Sequence, residues 1–504
     1  MVNIKPTTLG ALKKSGYQSR SVKEEIRRNL IARIRNKEIT FPGIIGYDDT
    51  VIPDTERALL SQHNILFLGL RGQAKTRMAR LMVDLLDEFI PCIPDSEIND
   101  DPLHPLSRQA MELTARMGDD TPIRWMHRSE RYGEKLATPD VSVADLIGDV
   151  DPIKAANLRL TYADEKVIHF GIIPRCNRGI FVINELPDLQ ARIQVALFNI
   201  LQEGDIQIRG FKLRLQLDIL FIFTANPEDY TNRGAIVTPL KDRIESQIIT
   251  HYPRSLETSL QITGQEARIM DEQAEKVKIS DLVKRVIEQI AFEARSSEFV
   301  DSKSGVSARL TISSFENAVS AAERRSLINN EKETTVRISD LYGVIPSITG
   351  KIELVYEGEQ EGPQHVAYNL LDKAIRSLFV QYFPNPDTFK KKKQPVVENP
   401  YLQIIQWFDR GSKLQLVMDA PDKQREQNLN RVQGLRDMAK SYFPQASAKE
   451  TILYMEFILH GLAAFSLISK KPMESIIQFG DLLGTIMNFN MEEENDPDSD
   501  RDKH

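Results

Sequence analysis

Eight residues, Gly69-Leu70-Arg71-Gly72-Gln73-Ala74-Lys75-Thr76, join the apolar run Ile65-Leu66-Phe67-Leu68 to the helical pattern Met78-Ala79-Arg80-Leu81-Met82. A glycine-rich turn between a strand and a helix aims backbone N–H groups inward and sets a helix N-terminus against an anion, which is the arrangement that holds a phosphate chain. Lys75 is placed to reach the outer phosphates of a nucleotide, and the Thr76 hydroxyl to bind its Mg²⁺. Ala74 occupies the position before the lysine where glycine is usual. Its Cβ is tolerated close to a nucleotide only if the residue keeps negative φ.

Two further strand ends carry polar chemistry. The run Ile180-Phe181-Val182-Ile183 stops at Asn184-Glu185, and Ile219-Leu220-Phe221-Ile222-Phe223 runs on to Thr224-Ala225-Asn226-Pro227. A carboxylate at a strand's carboxyl end can polarise an attacking water, and an amide there can hold that water or a phosphate oxygen. Glu185 and Asn226 fit those roles. Asn184 stands where an acid would organise Mg²⁺, and an amide oxygen is a neutral ligand. The sequence therefore predicts slow turnover, raised by Asn184→Asp.

These groups need a scaffold. Between Phe41 and Tyr252, short apolar strands alternate with helical patterns, which predicts a mostly parallel sheet covered by helices. Ahead of it, over 1–40, Ser21-Val22-Lys23-Glu24 is a capping box, followed by Val22, Ile26, Leu30 and Ile34 at helical spacing. The basic residues Arg27, Arg28, Arg33 and Arg35 on that helix read as a solvated face; a nucleic-acid patch is the alternative, but no aromatic stacking residues accompany them. Residues 253–346 read as helical, with a second capping box at Ser313-Ser314-Phe315-Glu316 before Ala318. Residues 347–400 read as a connecting segment ending in a Pro- and Lys-rich linker, 401–489 as amphipathic helices, and 490–504 as an acidic, solvated tail.

A chain of 504 residues exceeds the size of a single core, so two or more domains are expected. Its net charge is −7, its apolar runs are too short to span a bilayer, and no secretory leader pattern opens it. Cys92 and Cys176 make neither a disulfide framework nor a zinc spacing. The expectation is a cytoplasmic protein in a reducing compartment, with no membrane span and no nucleic-acid partner.

Together these motifs resemble the AAA+ module of magnesium-chelatase I subunits and MoxR-type ATPases, over about 41–327. Phe41-Pro42-Gly43-Ile44-Ile45-Gly46 resembles the family's opening segment, so Ile45 and Gly46 would lie beside an adenine. Gly148-Asp149-Val150-Asp151-Pro152 resembles the start of the family's helix-2 insert, Ile173-Pro174-Arg175-Cys176-Asn177-Arg178-Gly179 the approach to its Walker B strand, and 197–204 its Leu-rich helix ending in Glu-Gly. Alternating Ile206, Ile208, Leu213 and Leu215 around Gly210-Phe211 resemble its pre-sensor hairpin.

The resemblance implies an α/β fold: an AAA+ P-loop parallel sheet with helices, then a helical lid and a further mostly helical C-terminal region. It implies ATP and Mg²⁺ as cofactors, Asn226 as a sensor amide and a homo-oligomeric ring. Within Pro239-Leu240-Lys241-Asp242-Arg243, Arg243 would be the arginine that reaches a neighbouring subunit's nucleotide, the alternative being a surface salt bridge. Arg309 would be the sensor-two arginine, or else an ordinary helix-start charge. The implied function is a motor that remodels a partner protein, by resemblance one with a von Willebrand A domain. Two other readings stay open: a nucleotide-binding scaffold with little hydrolysis, which Asn184 favours, and the motor subunit of a magnesium chelatase. An enhancer-binding transcription activator ranks low, because no GAFTGA-like loop or C-terminal helix-turn-helix is apparent.

Overall fold

The computed structural model describes residues 5–161, 164–208, 214–227, 234–389, 399–473 and 475–482. The chain forms two compact units, Met1–Tyr252 and Pro253–His504.

The first unit is built on five strands: β1 Ile65–Leu68, β2 Tyr132–Leu136, β3 Gly179–Asn184, β4 Ile219–Ala225 and β5 Ser246–Ile249. They lie in the order β5-β1-β4-β3-β2, and every pairing is parallel. Parallel sheets are covered on both faces, and their strands are apolar on both sides. One face holds Ile65, Phe67, Ile180, Val182, Leu220, Ile222 and Ile248, packed with Val22, Ile26, Leu30, Met78, Ala79 and Met82. The other holds Leu66, Phe181, Ile183, Phe221, Phe223 and Ala225, packed with Ile173, Ile193, Leu197 and Ile200.

This alternation decides where the polar residues at the strand ends point. Asn184 follows Ile183 and Thr224 lies between Phe223 and Ala225, so period two turns both toward the face covered by the helix Lys75–Leu81. Glu134 is in register with Val182 and shares that face.

The N-terminal helix Val22–Arg35 carries the Ser21–Glu24 capping box, buries Val22, Ile26 and Leu30, and leaves Ile34 42% exposed. It is fastened to the sheet by a buried ion pair in which both Arg131 guanidinium ends donate to Glu25 at 2.7 Å, and by the Val22 N–H donating to Asp218 at 2.7 Å. These residues are therefore part of the sheet unit's own core.

In the second unit, helices Asp281–Ser296, Arg309–Ile328, Pro363–Tyr382 and Ala448–Ala464 contribute to one apolar core. Two features differ from the sequence reading. Ser313 does not cap a helix: the helix begins at Arg309, whose N–H donates to the Ser307 hydroxyl at 3.1 Å, and Ser313 lies inside it. The Ser-x-x-Glu pattern is there by composition, while Leu310 and Thr311 already belong to the buried face. Within the segment read as a connector, Pro363–Tyr382 is a long helix that buries Leu370, Leu371, Ile375, Leu378 and Phe379. Beyond 400, the helices are joined by a three-stranded antiparallel sheet of Leu414–Val417, Ser469–Pro472 and Ile476–Gly480, which helical periodicity did not indicate. Lys390 to Lys393 and the acidic tail lie outside the described residues.

Candidate functional site

The carboxyl ends of the central strands meet at one edge of the sheet. Leu68 of β1 is in register with Ala225 and Ile249, the Gly69 N–H donates to the Ala225 carbonyl at 3.1 Å, and the Thr250 N–H to the Leu68 carbonyl at 2.9 Å. The loop of Gly69, Leu70, Arg71, Gly72, Gln73 and Ala74 leaves from this edge. Residue 69 must be glycine, because a Cβ there would lie 2.0 Å from the Thr250 hydroxyl and 2.2 Å from the Gln73 amide oxygen. Those two side chains are themselves bonded, Thr250 Oγ1 donating to Gln73 Oε1 at 2.7 Å.

Gly72 takes φ +70°, and so does its neighbour's neighbour in kind: Ala74 has φ +55° and ψ +16°. The condition that the sequence sets for alanine here, negative φ, is not met. The loop turns into the helix at Ala74, which serves as N-cap, and the left-handed conformation there costs an alanine roughly 1–2 kcal/mol. Such strain persists where the surroundings over-determine the backbone.

Lys75 is only 8% exposed, and its ammonium is held by the carbonyls of Gly69 and, at 2.9 Å, Leu70. The lysine thus stands at the loop's own concavity. Next to it, the Thr76 hydroxyl donates to Asn184 Oδ1 at 3.1 Å, and Thr224 on β4 donates to the same oxygen at 3.1 Å. Glu185 follows in the left-handed region at φ +55°, its N–H donating to the Thr224 hydroxyl at 3.1 Å. Asn226, 3% exposed, directly follows β4, whose last residue, Ala225, accepts from the loop's first N–H. Loop, Asn184, Glu185 and Asn226 are thereby gathered at one edge.

Ile45 and Gly46 belong to the segment before Tyr47, with Gly46 at φ +80°. Tyr47 ties that segment to the loop: its hydroxyl donates at 2.9 Å to the carbonyls of Gln73 and His251, and burial pushes the phenol's pKa up. Sequence reading passed over Tyr47 and Thr224. Tyr47 follows Gly46 directly, and Thr224 was visible as the only hydroxyl within an apolar strand.

Arg243 follows the short helix Thr238–Asp242, where it donates to Gln202 at 3.1 Å and to the Pro239 carbonyl at 2.8 Å and lies over the Phe198 ring at 5.1 Å. Arg309 is exposed at the start of its helix in the second unit. The strands Asp205–Gln207 and Arg214–Gln216 pair antiparallel, with Ile206, Ile208 and Leu215 buried; Gly210, Phe211 and Leu213 lie outside the described residues.

The donor set suits the expected ligands. A buried ammonium within a glycine loop fits a phosphate chain, and the oxygens of Thr76 and Asn184, 3.1 Å apart, fit a hard, oxygen-seeking cation such as Mg²⁺. Both of those oxygens are neutral.

A magnesium-chelatase 38 kDa subunit of Cereibacter sphaeroides is 25% identical to this chain over 201 residues. That match takes in 39% of the chain and 54% of the relative, so the chain spans about half the length of the curated relative it matches. Over that stretch the chain is similar to a magnesium-chelatase I-type subunit. No family model matches it. Among solved structures, it is similar to the BchI–BchD complex of magnesium chelatase (18% identity, 64% of this chain, 98% of that chain, TM-score 0.32). It is also similar to Hsp104 in a closed state with casein (14% identity, 65% and 53%, TM-score 0.37). Among the described residues, no helix is long and apolar enough to cross a membrane.

Proposed function

We propose that the chain binds ATP with Mg²⁺ at 69–76 and hydrolyses it slowly, as a ring-forming motor that remodels a partner protein. The observation that carries this reading is the contact between Thr76 and Asn184, which joins the loop that would hold the phosphates to the strand that ends in Glu185. In this reading the Lys75 ammonium balances the outer phosphates, and Thr76 with Asn184 would hold the cation. When bound, Mg²⁺ supplies charge neutralisation across the phosphate oxygens. Glu185 orients the attacking water, Asn226 holds it in line, and Arg243 and Arg309 meet charge developing on the transferred group, Arg243 from a neighbouring subunit. A partner with a von Willebrand A domain, and a cytoplasmic setting, belong to the same proposal.

Two other readings have support. Asn184 lacks the charge of an acid, which favours a scaffold that binds ATP and scarcely hydrolyses it. The relative's name favours the motor subunit of a magnesium chelatase. Steady-state phosphate release with and without Glu185→Gln separates the motor from the scaffold. The motor reading expects slow release that falls at least tenfold in the variant while ATP still binds. A wild type without release, or a variant as fast as wild type, contradicts it.

A further inference from the structure

Glu134 was singled out by nothing in the sequence, yet it lies against the one departure from the family's acid. It is the central residue of β2, in register with Val182 on β3, and its carboxylate accepts from Asn184 Nδ2 at 2.7 Å. A carboxylate can only accept, so this bond requires the amide nitrogen of Asn184 to face Glu134 and the amide oxygen to face the other way. That oxygen meets the hydroxyls of Thr76 and Thr224.

Glu134 is itself held rigidly. Arg80, one turn along the helix from Thr76, donates to both of its oxygens at 2.9 Å, and Tyr132 donates to Oε2 at 2.8 Å. With all these contacts made, Glu134 is arranged to act on Asn184 and not to coordinate a cation directly.

We propose that Glu134 is the positioning residue of the metal-binding edge: it fixes Asn184 with its amide oxygen toward Thr76 and polarises that oxygen. The proposal rests on the reading of 69–76 as an ATP·Mg²⁺ site. Hydrogen bonds in series strengthen one another, so an anion on the amide nitrogen raises the electron density of the oxygen opposite. A neutral ligand thereby gains part of what a carboxylate would bring. The same geometry reverses the sequence expectation for Asn184→Asp. A carboxylate at 184 would stand beside the Glu134 carboxylate, and like charges at that spacing cannot both ionise freely. Asparagine at 184 and glutamate at 134 form a matched pair, and the family's acid works in this chain only if Glu134 is neutralised as well.

The test uses the full chain and isothermal titration with ATP, first in EDTA and then with Mg²⁺, the ratio of affinities giving the metal's contribution. Glu134→Gln should keep the metal-free affinity of wild type and lose about tenfold or more of the Mg²⁺ contribution, the usual cost of removing a group that orients a ligand. Asn184→Asp alone should show no gain over wild type. Asn184→Asp with Glu134→Gln should recover the wild-type contribution or exceed it, which also shows that the altered pair folds. An undiminished Mg²⁺ contribution in Glu134→Gln, or an Asn184→Asp variant that exceeds wild type, overturns the proposal. Wild type that binds no ATP in either buffer overturns the nucleotide site itself, and the proposal with it.

Discussion

The Thr76 hydroxyl lies 3.1 Å from the amide oxygen of Asn184, so the helix that follows the glycine loop and the strand that ends in Glu185 share a hydrogen bond across the sheet's edge. Two segments more than a hundred residues apart in sequence are locked into one arrangement by this contact. Alternation along β3 is its cause: with Phe181 and Ile183 on one face, Asn184 must point to the other, where the helix lies.

Ala74 pays for the loop's shape with a left-handed backbone at φ +55°. Ala74→Gly should remove that strain, partly offset by the greater freedom of glycine in the unfolded chain, and raise stability by up to about 1 kcal/mol. ATP affinity should not fall. A denaturant midpoint that drops in Ala74→Gly would show that the methyl group packs usefully and outweighs the strain.

Asp218 predicts a pH dependence. Burial pushes its carboxyl up to about 6, against the lowering effects of the Val22 N–H and of Arg178 and Arg131. A folded pKa above the unfolded value of about 3.9 means that the folded state binds the proton more tightly, so this group's stabilisation is complete below pH 4 and lost as pH rises through 6. Asp218→Asn keeps an acceptor for Val22 and removes the buried charge. Its thermal midpoint should match wild type near pH 4 and exceed it at pH 7.5, by no more than about 3 kcal/mol in free energy. Equal destabilisation at both pH values contradicts this.

The glycine loop and the strands around it were legible because their signals are local. Ile65–Leu68, Gly179–Asn184 and Ile219–Ala225 are continuous apolar runs, and the turn between Leu68 and Lys75 has its own glycine chemistry. Glu134 was hidden for the opposite reason. Tyr132–Leu136 is an edge strand with two charged residues, and only lateral register with β3 brings Glu134 to Asn184. The antiparallel sheet of Leu414–Val417, Ser469–Pro472 and Ile476–Gly480 was missed too: Leu414–Val417 meets its partner Ile476–Gly480 only across three intervening helices, while Ser469–Pro472 pairs with that strand as a short local hairpin. Ala74 does not meet the negative-φ condition because the surrounding loop over-determines its backbone.

Arg243 is held within its own unit by Gln202, Pro239 and Phe198. If it also completes a neighbour's site in a ring, Arg243→Ala and Lys75→Ala should each be inactive alone and should regain partial phosphate release when mixed. Head-to-tail contacts make this complementation possible, because some interfaces then pair an intact arginine with an intact loop. An arginine of this kind is worth roughly 10³ or more in rate. No recovery, in mixtures shown by light scattering to form mixed rings, would leave Arg243 as a residue of its own unit's packing.

Calorimetric titration of the full chain with ATP and Mg²⁺, wild type against Lys75→Ala, tests the central claim most directly. A buried ammonium within a glycine loop predicts saturable one-to-one binding by wild type and no measurable heat of binding by the variant, with both proteins giving the same circular dichroism spectrum. Equal affinity in the two proteins would contradict the assignment of 69–76 as the nucleotide site.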